Sequence, residues 1–225
     1  MSTQTIDYLH IPIYPISVAS HHILLSASTA RSWVSGRSYP TQDGEKQSKP
    51  LLRLADPKNK RASFTNLVEL FMIKAITKQY AVPLREIRAA LEYLKKESDI
   101  PHPLAHYSLQ TDGKYILVEH FGGLVNASRW GQREMADLIN PYVDRIRWEN
   151  DLAVGLSPVL RRETSDAVFI DPTIKGGRPC VKGTGITTVS IADRWSAGET
   201  YEEIAADFGI DLHFVEEAIR FEKAS

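Results

Sequence analysis

The stretch FTNLVELFMIKAITKQY, residues 64–80, constrains the fold more than any other. Leu67, Leu70, Phe71 and the segment Ile73 to Ile76 spread round much of the circumference of a helix, so little of its surface suits water and the rest of the chain must enclose it. A chain of 225 residues, 43% of them apolar, has the material for that core and for one large or two to three small domains. No run of eighteen or more apolar residues occurs, and the opening MSTQTIDYLHIPIYP lacks the basic-then-apolar layout of a signal peptide. These features predict a cytoplasmic protein without a membrane partner. The single cysteine, Cys180, excludes an internal disulfide, and no Cys/His spacing resembles a zinc site, so no metal or other cofactor is expected.

After Pro83, LREIRAALEYLKKES carries Leu84, Ile87, Leu91 and Leu94 as a stripe, which fits either a second core helix or a dimer seam. Upstream, residues 16–36, ISVASHHILLSASTARSWVSG, hold two short helical patterns: Ile16, Ala19 and Ile23, then Ala30, Trp33 and Val34. Ser28 or Thr29 is suited to cap the second helix and Gly36 to end it in a left-handed exit. The pair fits a helix-turn-helix presenting Ser28, Thr29, Arg31 and Ser32 outward, and equally an ordinary helical hairpin. Residues 37–50 read as a loop and LLRLA at 51–55 as a short strand. DPKNKR follows as a basic turn with Lys58, Lys60 and Arg61, in the place of a DNA-binding wing.

The middle third offers turn signals but no evident chemistry. Asp112-Gly113 predicts a hairpin over 106–119, QREMADLIN predicts a short helix over 132–140, and Asn150-Asp151 reads as the turn between two strands. In the tail, Thr200 and Glu203 have the spacing of a capping box for TYEEIAADF, which Gly209 ends. Asp211 is placed to cap LHFVEEAIRFEKA, with Leu212, Val215, Ile219 and Phe221 on one face. Glu216, Glu217 and Glu222 on that last helix argue against a tight grip on phosphates.

Ahead of these helices stands FIDPTIKGGRPCVKGTGIT, residues 169–187, with four glycines and two prolines. It is not a phosphate cradle: Lys182-Gly183-Thr184 has the wrong order for a P-loop, and Gly183-x-Gly185 is followed by Thr188 where a dinucleotide fingerprint needs glycine. The structural reading is two extended pieces, Val168 to Ile170 and Pro179 to Lys182, joined by a Gly176-Gly177 turn.

The run from Phe169 to Ile219 resembles the small helix-turn-helix domain, of unknown function, found in VapB-type antitoxins. Asp171-Pro172, Gly177-Arg178-Pro179, Gly183-Thr184, Gly198, Glu203-Ile204 and Val215 to Ile219 match that frame in order, while Gly185 replaces the arginine that many members carry. PISVASHHILLSASTARSWVSGRSY resembles the opening helix-turn-helix of MerR-like regulators, and FTNLVELFMIKAI the segment behind such a head in two-part antitoxins. The resemblance implies a mainly α fold with short β-hairpins (α+β) in three parts. Residues 1–100 would form a winged, MerR-like helix-turn-helix with its following helices, 101–164 a β-hairpin connecting region, and 165–225 a three-helix, homeodomain-like helix-turn-helix. It further implies a type II antitoxin that represses its own operon and neutralises a PIN-domain, VapC-like ribonuclease; a MerR-like regulator without a toxin is the alternative.

Charge fits such a division of labour, because the formal net charge is +4 over residues 1–62, zero over 63–149 and −5 over 150–225. The expected DNA contacts are Ser28, Thr29, Arg31 and Ser32 in the major groove, with Arg37, Arg53, Lys58, Lys60 and Arg61 towards phosphates and Arg31 the base reader. A homodimer on an inverted operator is expected. In the tail, Arg178, Lys182, Arg194 and Arg220 are the basic candidates for contact with the toxin's acidic pocket. An enzyme is not expected. The seven histidines are scattered, adjacent His21 and His22 point about 100° apart on a helix, and Cys180 reads as a small buried apolar residue.

Overall fold

The computed structural model describes residues 7–41, 44–80, 83–98, 101–106, 141–158 and 167–224. The hairpin expected around Asp112-Gly113 and the helix expected at 132–140 lie outside these residues.

Strand β1 (Tyr14–Pro15) leads into α1 (Ile16–His22), a turn, and α2 (Ala27–Ser35). The apolar positions of both helices face inward, with Ala19, Ile23 and Ala30 fully buried. Ser26, not Ser28 or Thr29, caps α2: its Oγ accepts the Thr29 N–H at 3.3 Å, and α2 therefore begins earlier than the serine pattern alone suggested. Gly36 ends the helix at φ 75.

Residues 37–50 are not a loop throughout. Strands β2 (Ser38–Thr41) and β3 (Gly44–Gln47) form an antiparallel hairpin, whereas 51–55 forms no strand. Leu51, Leu52 and Leu54 are instead buried as irregular chain in the main core. The basic turn closes as expected, and β4 (Arg61–Ala62) pairs with β1.

Helix α3 (Phe64–Tyr80) matches its sequence pattern, and Phe64, Leu67, Val68, Leu70, Phe71, Met72, Ile73 and Ile76 are buried on every side of it. At about 1.5–3 kcal/mol per large apolar side chain removed from water, this helix organises the core. Helix α4 (Leu84–Ser98) adds Ile87 and Leu91, but Leu84, at its first turn, is 38% exposed and stands outside the stripe. Hairpin β5 (Ile146–Glu149) and β6 (Leu152–Leu156) turns through Asn150 and Asp151 at φ 48 and 70, as their sequence indicated. Its Ile146, Ala153 and Leu156 join the same core, together with Leu104, Val143 and Ile170. Ile170 reaches it because Leu156 and Ile170 exchange backbone hydrogen bonds of 2.9 and 2.8 Å.

The tail opens with β7 (Val168–Phe169) antiparallel to β8 (Cys180–Val181), the two extended pieces flanking the glycine turn. Asp171 holds that turn: its carboxylate accepts the Thr173 N–H and hydroxyl at 2.8 and 2.6 Å and the Arg147 guanidinium at 2.7 Å. The N–H groups of Val181, Lys182, Thr184 and Ile186 all have acceptors within the protein, which fits turn chemistry and not a phosphate cradle. Helices α5 (Thr188–Ser196), α6 (Tyr201–Phe208) and α7 (Leu212–Lys223) then enclose a second core of Val181, Ile191, Ile204, Val215, Ala218 and Ile219. The Thr200/Glu203 capping box forms, and Gly209 is left-handed at φ 64. Asp211 stands at the N-cap of α7 without a side-chain bond, and Leu212, 38% exposed, lies off its buried face.

One buried side chain ties the irregular 53–55 segment to α3. Asn66, fully buried, accepts the Ala55 and Ser63 N–H groups at 2.8 and 3.3 Å and donates to the Arg53 carbonyl and the Glu69 carboxylate, each at 3.1 Å. Asn66→Ala leaves a buried N–H and a carbonyl unpaired, so we expect a loss of about 3 kcal/mol in chemical denaturation. Lys58→Ala, on the exposed turn, should stay within about 0.5 kcal/mol.

Candidate nucleic-acid interface

The turn between α1 and α2 is rigid for local reasons. Leu24 sits at φ 52, the Leu25 N–H reaches the Ser20 carbonyl at 2.8 Å, and the buried Lys74 ammonium of α3 donates to the Ile23 carbonyl at 2.6 Å. With Trp33 and Val34 buried, α2 presents Ser28, Arg31 and Ser35 to solvent. Thr29 and Ser32 are half-buried and their hydroxyls are engaged. Ser32 donates to the Thr29 carbonyl at 2.8 Å, and Thr29 accepts from the capping Ser26 at 2.7 Å. Arg31 is exposed, with no ion pair among the described residues.

The β2–β3 hairpin leaves directly from α2. Arg37 and Ser48 close it, the Arg37 N–H donating to Ser48 Oγ at 2.8 Å and the Ser48 N–H to the Arg37 carbonyl at 2.9 Å. The Leu51 N–H returns to the Trp33 carbonyl at 2.7 Å, and Arg88 of α4 donates to the Lys49 carbonyl at 2.7 Å. Arg37, Lys46 and Lys49 are exposed on this wing-like projection. Sequence reasoning missed Lys46 and Lys49 as candidates, although Asp43-Gly44 was a usable turn signal.

The expected basic turn is elsewhere. Lys58 and Lys60 are exposed, but the Lys60 carbonyl accepts the Ile16 N–H at 3.1 Å, so the turn abuts the start of α1, not the end of α2. Arg61 is committed to the protein: its guanidinium donates to the Pro12 and Ile13 carbonyls, both at 2.9 Å. Arg53 is exposed, its carbonyl held by Asn66. In the tail, Arg178 and Lys182 are exposed, Arg220 pairs with Glu217, and Arg194 is held between Glu199 and Asp207 with its guanidinium 5.1 Å from the Phe208 ring. Those two carboxylates raise the Arg194 pKa still further. Among the described residues no group of three metal-type ligands converges, and no helix is long and apolar enough to cross a membrane.

Head and tail meet along α1. The buried Tyr14 hydroxyl donates to the Gly177 carbonyl at 2.9 Å, and burial, then the Asp171 charge, raises its pKa. A Cβ at Gly177 would lie 2.0 Å from that hydroxyl. His21 Nε2 is 3.1 Å from the Glu222 carboxylate of α7, whose other oxygen accepts the Thr188 hydroxyl. Burial pushes the Glu222 carboxyl up, but these hydrogen bonds and the charge of the two imidazoles outweigh it and hold it below the usual glutamate range. His22, packed edge-on against Tyr14, is pushed down from 6.5 to about 4, chiefly by burial and then by His21.

Two segments match known families. Residues 12–91, from β1 into α4, match a family described as "Putative DNA-binding HTH domain", and residues 168–221 match "Protein of unknown function (DUF433)". Over 219 residues the chain is 27% identical to "Putative antitoxin VapB45" of Mycobacterium tuberculosis, covering 89% of each chain. Over 227 residues it is 27% identical to "Uncharacterized protein Rv2308" of the same organism, covering 94% of this chain and 90% of that one. The crystal structure of Rv2018, also from Mycobacterium tuberculosis, shares the fold with a TM-score of 0.67 at 21% identity, over 93% of this chain and 98% of that one. The matches support an antitoxin-like protein that carries a helix-turn-helix DNA-binding domain.

Two expectations arise from this geometry. At Gly36, φ is +75 and an added Cβ would lie 2.0 Å from the Ser48 carbonyl oxygen, so Gly36→Ala should displace the hairpin and lower the thermal midpoint by several degrees. The second concerns pH. Between about 6.5 and 4 the unfolded chain binds a proton at His22 that the folded chain excludes, so stability falls as pH falls through this window, by about 3 kcal/mol in all. Glu222, also depressed, adds a loss as pH drops through its folded value. Denaturation of His22→Phe should show a flatter profile over the window than the parent protein.

Proposed function

We propose that this protein is the antitoxin of a type II toxin–antitoxin pair. Its head binds operator DNA as part of a homodimer and represses its own operon, and its tail neutralises a PIN-domain, VapC-like ribonuclease. The observation that carries the DNA half is the capped α2, with Arg31 exposed on its outer face and a basic hairpin fixed to its end. In this MerR-like arrangement α2 enters the major groove, where the Arg31 fork takes both acceptors of a guanine, while Arg37, Lys46 and Lys49 lie along flanking phosphates. The basic turn at Lys58 and Lys60 adds a second set of phosphate contacts. The toxin half is supported by the similarity to the putative antitoxin VapB45 and by the net negative, separately cored tail, a homeodomain-like trio of helices poorly suited to phosphates. On this reading the chain binds and does not catalyse, needs no cofactor, and works in the cytoplasm. Arg178 and Lys182, both exposed, are the tail cations assigned to the toxin, and Arg194 and Arg220 hold carboxylates.

Mobility-shift titration of the full chain on its own promoter tests the DNA half. Arg31→Ala should weaken binding roughly tenfold or more and relax specificity at one position. Lys58→Ala should weaken all sequences alike and lower the salt slope by about one. Affinity purification from the native host with nuclease treatment tests the other half. Recovery of a PIN-domain protein supports neutralisation, and DNA recovered alone makes the chain a regulator without a toxin.

A further inference from the structure

The joint between head and tail contains a cavity of about 500 Å³, a size suited to a small molecule and placed, as such sites commonly are, between two units. Its walls differ in character. Ile13, Val18 and Val189 make up its apolar part, with Val18 38% and Val189 42% exposed although both are large aliphatic side chains. Lys175 and Arg178, also at its wall, stand exposed, with no ion pair to either among the described residues.

Glu222, the only carboxylate among the described lining residues, makes no ion pair with these cations; its two oxygens meet His21 and Thr188. The turn that carries the cations is itself held in a costly conformation. Lys175, Gly176 and Gly177 lie at φ 49, 64 and 73, three left-handed residues in succession, of which the first is not glycine. Tyr14 and Asp171 hold that turn from either side, so Lys175 and Arg178 are presented at the cleft by a braced segment.

We propose that this cleft binds a small organic anion, a carboxylate or phosphate carried on an apolar body, with the charge on Lys175 and Arg178 and the body against Val18 and Val189. Such a ligand touches α1 on one side and the glycine turn and α5 on the other, so its occupancy fastens the tail to the DNA-reading head. The site does not rest on the toxin assignment, although Arg178 is common to both, and small-anion probes test it with no toxin present.

Calorimetric titration of the full chain with phenyl phosphate, benzoate and inorganic phosphate tests the proposal. Phenyl phosphate or benzoate should bind at least tenfold more tightly than inorganic phosphate, and whichever binds better identifies the anionic group. The Lys175→Ala/Arg178→Ala variant should lose at least tenfold of that affinity, Val18→Asp should lose it as well, and Lys58→Ala should keep it. Circular dichroism of each variant confirms that it is folded, and Arg178→Lys, which keeps the charge, should retain part of the affinity. Absence of binding by all three probes overturns the proposal and leaves the two cations to an acidic segment of a partner protein. Equal binding by the double variant, or equal affinity for inorganic phosphate, overturns it too.

Discussion

Helix α3 is apolar on all sides, and a helix of that kind is stable in water only when other chain covers it completely. The head is that cover. α1, α2, the irregular leucines at 51–54, α4, the 103–105 turn and the β5–β6 hairpin each supply a part of it. The polar groups drawn in with α3 are satisfied at once: Asn66 by the 53–55 segment, Glu69 by Asn66 and by His102 at 3.0 Å, Lys74 by the Ile23 carbonyl. The helix-turn-helix is thus fixed from beneath by the same helix that demands burial. Ile170 extends the cover past the β5–β6 hairpin, so the tail begins in the head's own core.

What the sequence made legible was local. The extents of α3 and α4, the capping box at Thr200 and Glu203, and the β5–β6 turn depend on residues within a few positions of one another. The β2–β3 hairpin escaped notice because Gly44 to Gln47 are all exposed, which removes the inside-outside alternation that marks a strand. LLRLA failed in the opposite sense. Its leucines are buried, but no neighbouring strand pairs with them, so apolar density alone misled. Leu84 and Leu212 sit in the first turns of their helices, where the stripe has not yet reached the core. The joint was invisible for another reason: Tyr14 and Gly177 are 163 positions apart, and His21 and Glu222 are 201 apart.

The candidate site shows why a census of cations is a poor map of an interface. Arg61, Arg194, Arg220 and Arg147 look alike in sequence to Arg31 and Arg178, yet each is already engaged with a carbonyl or carboxylate. Once those are set aside, the outer face of α2 with its hairpin, the turn at Lys58 and Lys60, and the rim of the cleft at the joint each keep exposed positive charge, as do Arg53 and Lys182.

The contact of α1 with the last turn of α7 also governs the order in which the molecule is completed. Its two partners, His21 and Glu222, are 201 positions apart, so α1 is synthesised long before its brace. Closing a loop of that span is slow compared with forming the local helices of either unit. One side of α1 therefore stays uncovered until α7 has been made, and the joint seals after each unit has formed its own helices. Loss of the last turn of α7 would keep both cores yet remove this seal, which makes that turn the part of the tail on which the joint depends.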